Sequence, residues 1–280
     1  MTTAVIVQAR LGSSRLPGKV LRPLGRRTPL AYVLARCARI PGADAVVCAV
    51  PESAENDAVA AHARECGAIV VRGSETDLLD RYLRAARMVR ATRVMRVTSD
   101  CPLIDPAVCG EVLAALAEAS ADYVCNNLPP LWPHGLDCEA FPAALLAIAA
   151  REATLPGDRE HVTPWMRRHP NVRRLSIDGP GGGVERHRWT LDHPEDYAFF
   201  RALWDAMGER AGQAGWREIA AVLDRHPEIA AINAARIDQA RLAPHASASI
   251  ASSRAASSQS VLVSDAKRKP WGTGSAPPST

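Results

Sequence analysis

The chain has 280 residues, of which 47% are hydrophobic, and its seven cysteines include no C-x-x-C pair, which excludes a disulfide framework and a thiolate zinc site. It shows no apolar stretch of about 18 residues and no secretory signal pattern, so we expect a soluble, cytoplasmic protein with no membrane partner. The formal net charge is +4, but residues 240–280 hold five basic residues against one acidic residue, so the remainder is balanced and argues against nucleic acid as a partner.

Short apolar runs alternate with amphipathic stretches through the first half of the chain. The apolar runs predict strands at 4–8, 45–50, 68–71, 93–98 and 122–126. The stretches between them predict helices at 29–40, 54–66, 76–90 and 106–119. This alternation predicts an α/β fold with a mainly parallel sheet and helices on both faces. Because ligands in such sheets bind beyond the carboxyl ends of the strands, the loops after the strands are the candidate site.

The second half is less regular. Helical patterns return at 142–152, 160–168, 194–208 and 215–224, and a short strand is predicted at 188–192. Residues 128–136 are rich in proline and are predicted to hold no long element. From about residue 239 the chain is rich in Ala and Ser, so we predict a folded domain over 1–238 and a disordered tail over 239–280.

The stretch QARLGSSRLPGKVL (8–21) follows the first predicted strand and is close in composition to a phosphate-binding P-loop. That template has four residues between its glycines and a hydroxyl after its lysine. Here five residues separate Gly12 from Gly18, and Val20 replaces the hydroxyl, so the pattern disfavours a kinase or ATPase. The small residues and cations that remain suit either a polyphosphate or a solvated basic loop. They are Gly12, Ser13, Ser14, Gly18, Arg10, Arg15 and Lys19.

Two carboxylates follow predicted strands. Asp100 comes directly after the strand at 93–98, and Asp192 ends the short strand at 188–192. A carboxylate at this end of a strand is well placed for Mg²⁺, which takes hard oxygen ligands and needs only one or two from the protein. The alternative interpretation of Asp100 is a turn or a helix cap.

A third candidate loop lies in RGSETDLLDRY (72–82). Arg72 follows a predicted strand, and Asp80 and Arg81 fall one turn into the next helix. A neighbouring Asp–Arg pair is usually a surface feature, so it indicates little alone. Together the loops offer cations for phosphates, two carboxylates for a divalent ion, and polar groups for a base and an acceptor.

Six blocks of this sequence, in order over about residues 4–205, resemble the cytidylyltransferases that activate acidic sugars with CTP. That family includes CMP-Kdo and CMP-sialic acid synthetases, and the chain looks closest to the spore coat polysaccharide biosynthesis branch. The blocks are VQARLGSSRLPGKVL (7–21), RGSETDLLDRYLRAA (72–86), RVTSDCPLIDP (96–106), HGLDCEAF (134–141), REHVTPWM (159–166) and RWTLDHPEDY (188–197).

The resemblance implies a three-layer α/β/α nucleotide-diphospho-sugar transferase fold, Rossmann-like, with residues 1–238 as the nucleotidyltransferase domain. It also implies Mg²⁺ held by Asp100 and Asp192, a homodimer, and CTP with a small acidic acceptor as partners. The implied catalytic groups are Lys19, Arg10 and Asp100. The implied nucleotide-binding residues are Gln8, Ala9, Arg10, Gly12, Ser13, Ser14, Arg15, Lys19, Arg72, Asp80 and Arg81, and the implied acceptor-side residues are Gly135, Asp137, Glu139, His161 and Thr163.

The reaction expected from this resemblance is attack of an acceptor oxygen on the α-phosphorus of CTP with release of pyrophosphate. A hydroxyl acceptor would need a base, for which His161 is the first candidate; the alternative is a structural histidine. The acceptor could instead be a phosphonate or a sugar or polyol phosphate. A nucleotide-sugar glycosyltransferase of the same fold is disfavoured because Asp-Cys-Pro and Asp-His-Pro stand where an Asp-x-Asp motif would be.

Overall fold

The computed structural model describes residues 1–242 and 251–252, and its strands join in one sheet. The strands are β1 (Thr3–Gln8), β2 (Ala45–Pro51), β3 (Ile69–Gly73), β4 (Arg93–Thr98), β5 (Tyr123–Cys125), β6 (Glu139–Pro142), β7 (Arg174–Ser176) and β8 (Ala251–Ser252). Their order across the sheet is β3-β2-β1-β4-β6-β5-β7-β8. Only β6 among them runs antiparallel to its neighbours, β4 and β5. The predicted mainly parallel sheet is therefore confirmed.

Helices fill most of the connections between the strands. They are α1 (Pro29–Cys37), α2 (Asp57–Glu65), α3 (Leu78–Met88), α4 (Pro106–Glu118), α5 (Ala143–Glu152), α6 (Pro156–His161), α7 (Pro164–Arg168), α8 (Pro194–Met207), α9 (Trp216–Arg225), α10 (Pro227–Ala231) and α11 (Gln239–Leu242). Several begin at a side-chain cap: Thr28 accepts the Ala31 amide of α1, and Asp77 accepts the Asp80 amide of α3.

The central strand β1 separates two cores. Val5 and Val7 face one core, which contains residues of α1, α2, α4 and α8, whereas Ala4 and Ile6 face the other, which contains residues of α3 and α5. All four of these side chains are fully buried. Successive side chains of a strand point to opposite faces, so β1 needs apolar residues at every position. The result is the predicted three-layer α/β/α arrangement, which is confirmed.

Two sequence predictions in the second half are wrong. No strand forms at 188–192, because the backbone of this segment pairs with two different neighbours over one or two residues each. The Trp189 amide donates to the His134 carbonyl, and the Leu191 amide donates to the Asp100 carbonyl. The helix predicted over 160–168 is two short helices, α6 and α7. They are separated because Val162 has a φ of 71°, which a helix does not allow.

The described residues include two short pieces of the predicted tail. Gln239–Leu242 forms α11, and Ala251–Ser252 pairs with β7. Residues 243–250 and 253–280 lie outside the described residues, so the boundary at 239 stays a prediction. Within the part of the chain that the structure describes, no helix has the length and apolarity needed to span a bilayer.

Candidate active site

A cleft of about 400 Å³ opens at the carboxyl ends of β1 and β4. This is the edge at which open α/β sheets bind their ligands. The sequence-predicted residues that line it are Gln8, Ala9, Arg10, Gly12, Ser13, Ser14, Arg15, Lys19, Arg81, Asp100, His161 and Asp192. The cleft therefore brings together residues from five separate blocks of the sequence.

The loop after β1 is anchored at both ends and folds over the cleft. Leu16 and Val20 are buried, and the Leu11 amide donates to Asn56 Oδ1 over 2.7 Å. Gly18 has a left-handed φ of 65°, and the space that a side-chain carbon would occupy there has no atom within 4 Å, so the position requires a glycine for its backbone angle. This turn places Lys19 at the start of a short 3-10 helix with its side chain toward the cleft.

Lys19 bridges the two predicted metal ligands. Its Nζ donates to Asp100 Oδ2 over 3.0 Å and to Asp192 Oδ1 over 2.7 Å. Thr98 Oγ1 donates to the other Asp100 oxygen over 2.5 Å. Arg15 Nη2 lies 3.3 Å from Asp192 Oδ1. The two carboxylates thus converge on one point of the cleft wall.

The charges of this triad stabilise each other. Burial alone would lower the pKa of Lys19, but Asp100 and Asp192 outweigh it and raise this pKa above its ordinary value. Burial alone would raise the pKa of Asp100, but the Lys19 charge and the Thr98 hydrogen bond hold it well below its ordinary value. Asp100 is therefore ionised near neutral pH.

A buried carboxylate, Asp196, holds Asp192 in place. Asp196 Oδ2 accepts from the amides of Asp192 and His193, each over 2.9 Å. Arg188 pairs with Asp196 through two hydrogen bonds of 2.7 and 2.8 Å, and Asp196 is fully buried. The Leu191 amide also bonds to the Asp100 carbonyl, so the two metal-ligand candidates are tied together through the backbone.

The donor set fits a magnesium ion. Among residues 1–242 and 251–252, no group of three or more His, Cys, Asp or Glu side chains could hold a metal ion by itself. Asp100 and Asp192 instead offer two hard oxygen donors to one point. Mg²⁺ is typically held by one or two carboxylates plus substrate phosphates and water, so two protein ligands suffice.

Arg81 borders the cleft from helix α3. The residue is 3% exposed, and its Nε and Nη1 atoms have no hydrogen-bond partner within the described residues. Burial lowers the pKa of this guanidinium. Buried donors without partners are costly. Arg81 lines the cleft, although its Nε and Nη1 atoms are themselves closed to solvent.

Arg72 and Asp80 do not line the cleft. Arg72 donates to the Pro51 and Ser53 carbonyls and to Asp57, and so links β3 to the segment at the start of α2. Asp80 pairs with Arg84 one turn along α3. Both side chains are therefore engaged away from the nucleotide site that the resemblance implies for them.

His161 reaches the cleft at the end of α6, followed by a strained turn. The Thr163 amide donates to the His161 carbonyl over 2.8 Å, and Val162 between them has φ 71° and ψ −54°, which makes a γ-turn of the rare positive-φ kind. A β-branched residue is held in such a turn only by its surroundings, and strain of this kind is common at functional sites.

Glu139 and Thr163 lie behind this turn and do not line the cleft. Thr163 Oγ1 donates to Glu139 Oε1 over 2.9 Å, and both residues are buried. Arg96 and Arg167 pair with the same carboxylate, and Tyr123 donates its hydroxyl to it. These two predicted acceptor residues are therefore parts of a buried ion network that supports the turn.

Gly135 and Asp137 lie on a separate segment that does not line the cleft. At Gly135, φ is 117° and a side-chain carbon would stand 2.3 Å from the Trp189 carbonyl oxygen, so only glycine fits. Asp137 pairs with Arg241 of α11 over 2.9 Å. His134, beside them, is within 3.2 Å of Arg188, and burial lowers the pKa of His134 below its ordinary value.

The cleft also contains side chains that the sequence analysis did not single out. They are Glu75, Thr76, Leu78, Thr98, Ser99 and Glu160. Glu75 Oε1 lies 3.8 Å from Arg10 Nη1. Ser99 and Glu160 are immediate neighbours of chosen residues, and the other four lie in the same quoted blocks, which is the signal that could have found them.

Comparison with known proteins places this chain among cytidylyltransferases. Residues 4–205 match the sequence model of a family described as cytidylyltransferase. The chain is 34% identical over 232 residues to the spore coat polysaccharide biosynthesis protein SpsF of Bacillus subtilis, covering 80% of this chain and 95% of that protein. It is 35% identical over 116 residues to a 3-deoxy-manno-octulosonate cytidylyltransferase of Anaeromyxobacter dehalogenans, covering 40% and 46% of the two. The solved structure of a cytidylyltransferase from Leptospira borgpetersenii superposes with a TM-score of 0.77 at 27% identity, covering 82% of this chain and 97% of that chain.

Proposed function

The chain belongs to the cytidylyltransferase family, and on that premise we propose that it transfers CMP from CTP to a small acidic acceptor and releases pyrophosphate. The observation that carries this proposal is the bridge from Lys19 to Asp100 and Asp192 within a cleft covered by a cationic loop. A protein that only bound a nucleotide would not need two carboxylates beside its phosphate-binding cations.

The triphosphate occupies the side of the cleft under the loop after β1. Arg10 and Arg15 are more than half exposed and both line the cleft, so phosphate oxygens can approach them there. Lys19 lies deeper, at the carboxylates. Phosphates prefer such charge-assisted donors, and the glycine and serine backbone between the cations allows close approach.

Arg81 recognises the cytosine base. Cytosine presents two acceptors, O2 and N3, side by side, and the buried guanidinium has donors that lack partners among the described residues. Uracil carries a hydrogen on N3 and would meet these donors with a donor of its own. This pairing supports the choice of CTP over UTP.

In the proposed reaction an acceptor oxygen forms a bond to the α-phosphorus, and the bond from that phosphorus to the oxygen bridging to the β-phosphate breaks. Positioning and charge neutralisation carry most of such a transfer. Asp100 and Asp192 would hold Mg²⁺, which would supply positive charge to the phosphate oxygens. Arg10, Arg15 and Lys19 orient the triphosphate so that pyrophosphate leaves opposite the acceptor.

The acceptor approaches from the side of His161 and Glu160. A carboxylate, phosphate or phosphonate oxygen is already ionised near neutral pH and needs no base. A hydroxyl would lose its proton to His161, which lines the cleft and is the first candidate base. The homodimer and the acceptor-side roles of Gly135 and Asp137 remain proposals that the resemblance alone supports.

Pyrophosphate release tests this function. Each of the four NTPs is incubated with Mg²⁺ against a panel of eight- and nine-carbon sugar acids, other sugar acids, sugar and polyol phosphates, and phosphonates. The proposal expects pyrophosphate with CTP, dependent on an acidic acceptor and absent from an Asp100→Asn control. Production of ADP from ATP without pyrophosphate would favour an ATPase or kinase, and transfer of a sugar from a nucleotide sugar would favour a glycosyltransferase.

A further inference from the structure

Lys19 and a divalent ion would use the same oxygen atoms. The Lys19 ammonium lies 3.0 Å from Asp100 Oδ2 and 2.7 Å from Asp192 Oδ1, and its side chain is 13% exposed. A magnesium ion shared by these carboxylates would sit about 2.0–2.1 Å from each ligand oxygen. An ammonium at hydrogen-bond distance from both oxygens fills that space, so the two cations exclude each other.

Resting on the proposed function, we infer that Lys19 is a built-in competitor of the divalent ion. In the nucleotide-free protein its ammonium neutralises Asp100 and Asp192. When a nucleoside triphosphate enters, the ammonium moves to the phosphate oxygens and leaves both carboxylates to the metal. Binding of metal and nucleotide is therefore cooperative, and the protein takes up a divalent ion with its nucleotide instead of before it.

The position of Lys19 allows this exchange. It follows Gly18, its side chain is an unbranched four-carbon stem, and its compact ammonium offers three donors in any direction. It lines the same cleft as Arg10 and Arg15, which places the phosphate site within its reach. Arg15 contacts only Asp192, at 3.3 Å, so it cannot hold the two carboxylates together in the way Lys19 does.

The exchange has a thermodynamic consequence. If nucleotide raises the affinity for metal by some factor, metal raises the affinity for nucleotide by the same factor. Such couplings typically amount to about 5–150-fold. Removal of the Lys19 charge should tighten metal binding in the absence of nucleotide and should reduce this factor toward one.

Binding of Mn²⁺ to the full chain, measured by the free-ion EPR signal at pH 7.5, tests the inference without turnover. Wild type and Lys19→Met are titrated with Mn²⁺ alone and again with α,β-methylene CTP, which cannot release pyrophosphate, and a protein-free nucleotide titration corrects for Mn²⁺ on the nucleotide. The inference expects Lys19→Met to bind Mn²⁺ alone at least about tenfold more tightly than wild type. It also expects nucleotide to tighten Mn²⁺ binding in wild type and to have a smaller effect in the variant.

Three variants serve as controls. Arg10→Met removes a cation of the same loop that pairs with Glu75 and touches neither Asp100 nor Asp192, so its affinity for Mn²⁺ alone should equal that of wild type. Adding Asp100→Asn to Lys19→Met should abolish the gained affinity. Lys19→Gln, which removes the charge but keeps a polar side chain with hydrogen-bond donors, repeats the comparison if Lys19→Met does not fold.

Equal affinity of wild type and the Lys19 variants for Mn²⁺ alone would overturn the inference, as would wild-type binding of Mn²⁺ that nucleotide does not tighten. The result is separable from the proposed function. If the wild-type protein releases pyrophosphate but the Lys19 variants bind Mn²⁺ as wild type does, only the role of Lys19 as a competitor is contradicted. If Lys19→Met binds Mn²⁺ more tightly but the wild-type protein transfers no CMP, the competition between Lys19 and the metal is supported and the proposed reaction is contradicted.

Discussion

Lys19 Nζ lies 2.7 Å from Asp192 Oδ1, although the two residues are 173 positions apart in the chain. Asp100, between them in sequence, completes the contact from the end of β4. Three loops therefore meet at one charged point: two follow β1 and β4, and the third precedes α8. Catalysis and metal binding are expected to depend on all three residues together.

The first prediction concerns this triad. Lys19→Ala removes a proposed phosphate-binding cation, and Asp100→Asn removes a proposed metal ligand. Each should lower pyrophosphate release by at least about tenfold, which is about 1.4 kcal/mol of barrier, while the melting curve stays cooperative. Arg26→Ala, an exposed cation outside the cleft, serves as the matched control and should keep the wild-type rate. Near-normal pyrophosphate release by Lys19→Ala or Asp100→Asn would contradict the assignment of these residues to the active site.

The second prediction concerns base recognition. Hydrogen bonds to charged groups contribute about 1.5–3 kcal/mol, so Arg81→Met should raise the KM for CTP about tenfold or more and narrow the preference for CTP over UTP. Arg84→Met, on the same helix but half exposed and paired with Asp80, should change neither. Steady-state rates with both nucleotides decide the matter. An unchanged CTP to UTP ratio in Arg81→Met would contradict the role of this guanidinium.

The third prediction concerns the strained turn at Val162. Thr163→Val keeps the size of the side chain but removes the hydrogen bond to Glu139, so the turn that presents His161 loses a support. The KM for the acceptor should rise about three- to tenfold, and the KM for CTP should not change. Thr163→Ser retains the hydroxyl and should behave as wild type. If Thr163→Ser and Thr163→Val raise the KM for the acceptor equally, the hydrogen bond to Glu139 does not support the turn.

The fourth prediction is a pH dependence. Burial alone would raise the pKa of Glu139, but Arg167 and Arg96 outweigh it and lower this pKa to about 2, against about 4.3 in an unfolded chain. The unfolded state thus binds this proton first, so the stabilisation is complete above about pH 4.3 and is lost as the pH falls toward 2. Glu139→Gln has no carboxylate at this position, so it lacks this stabilisation at every pH and cannot show its loss in acid.

Thermal unfolding measured from pH 7 to pH 3 checks this expectation. The melting temperature of Glu139→Gln should lie below that of wild type at pH 7, and the gap should narrow between pH 5 and pH 3. Glu111→Gln, an exposed position on α4, should show no such gap. A constant gap across the whole range would mean that Glu139 does not stabilise the fold through its charge.

The first half of the fold could be predicted because its signals are local. Each apolar run of β1 to β5 is long enough to show its period, and the strands begin or end within two residues of the predicted bounds. Strands β6 and β7 were not predicted, since they lie in the irregular second half of the chain, where no alternation of strands and helices points to them. The turn at Val162 was not predicted either, since a valine predicts against a positive φ.

The candidate site shows the same division. The loop with Lys19 could be identified because its cations and small residues are contiguous, and Asp100 because it follows a strand. Arg72 and Arg81 belong to one block, yet only Arg81 borders the cleft. A sequence pattern identifies the segment that forms a site, but the direction of each side chain depends on packing that the segment does not contain.

The most direct measurement follows the phosphorus atoms of CTP. Two parallel reactions with an acceptor from the panel use CTP labelled with ³²P at the α or at the γ position. Cytidylyl transfer predicts the α label in a conjugate with the acceptor and the γ label in pyrophosphate. The γ label in orthophosphate or on the acceptor, with the α label left in CDP, would contradict the proposed function.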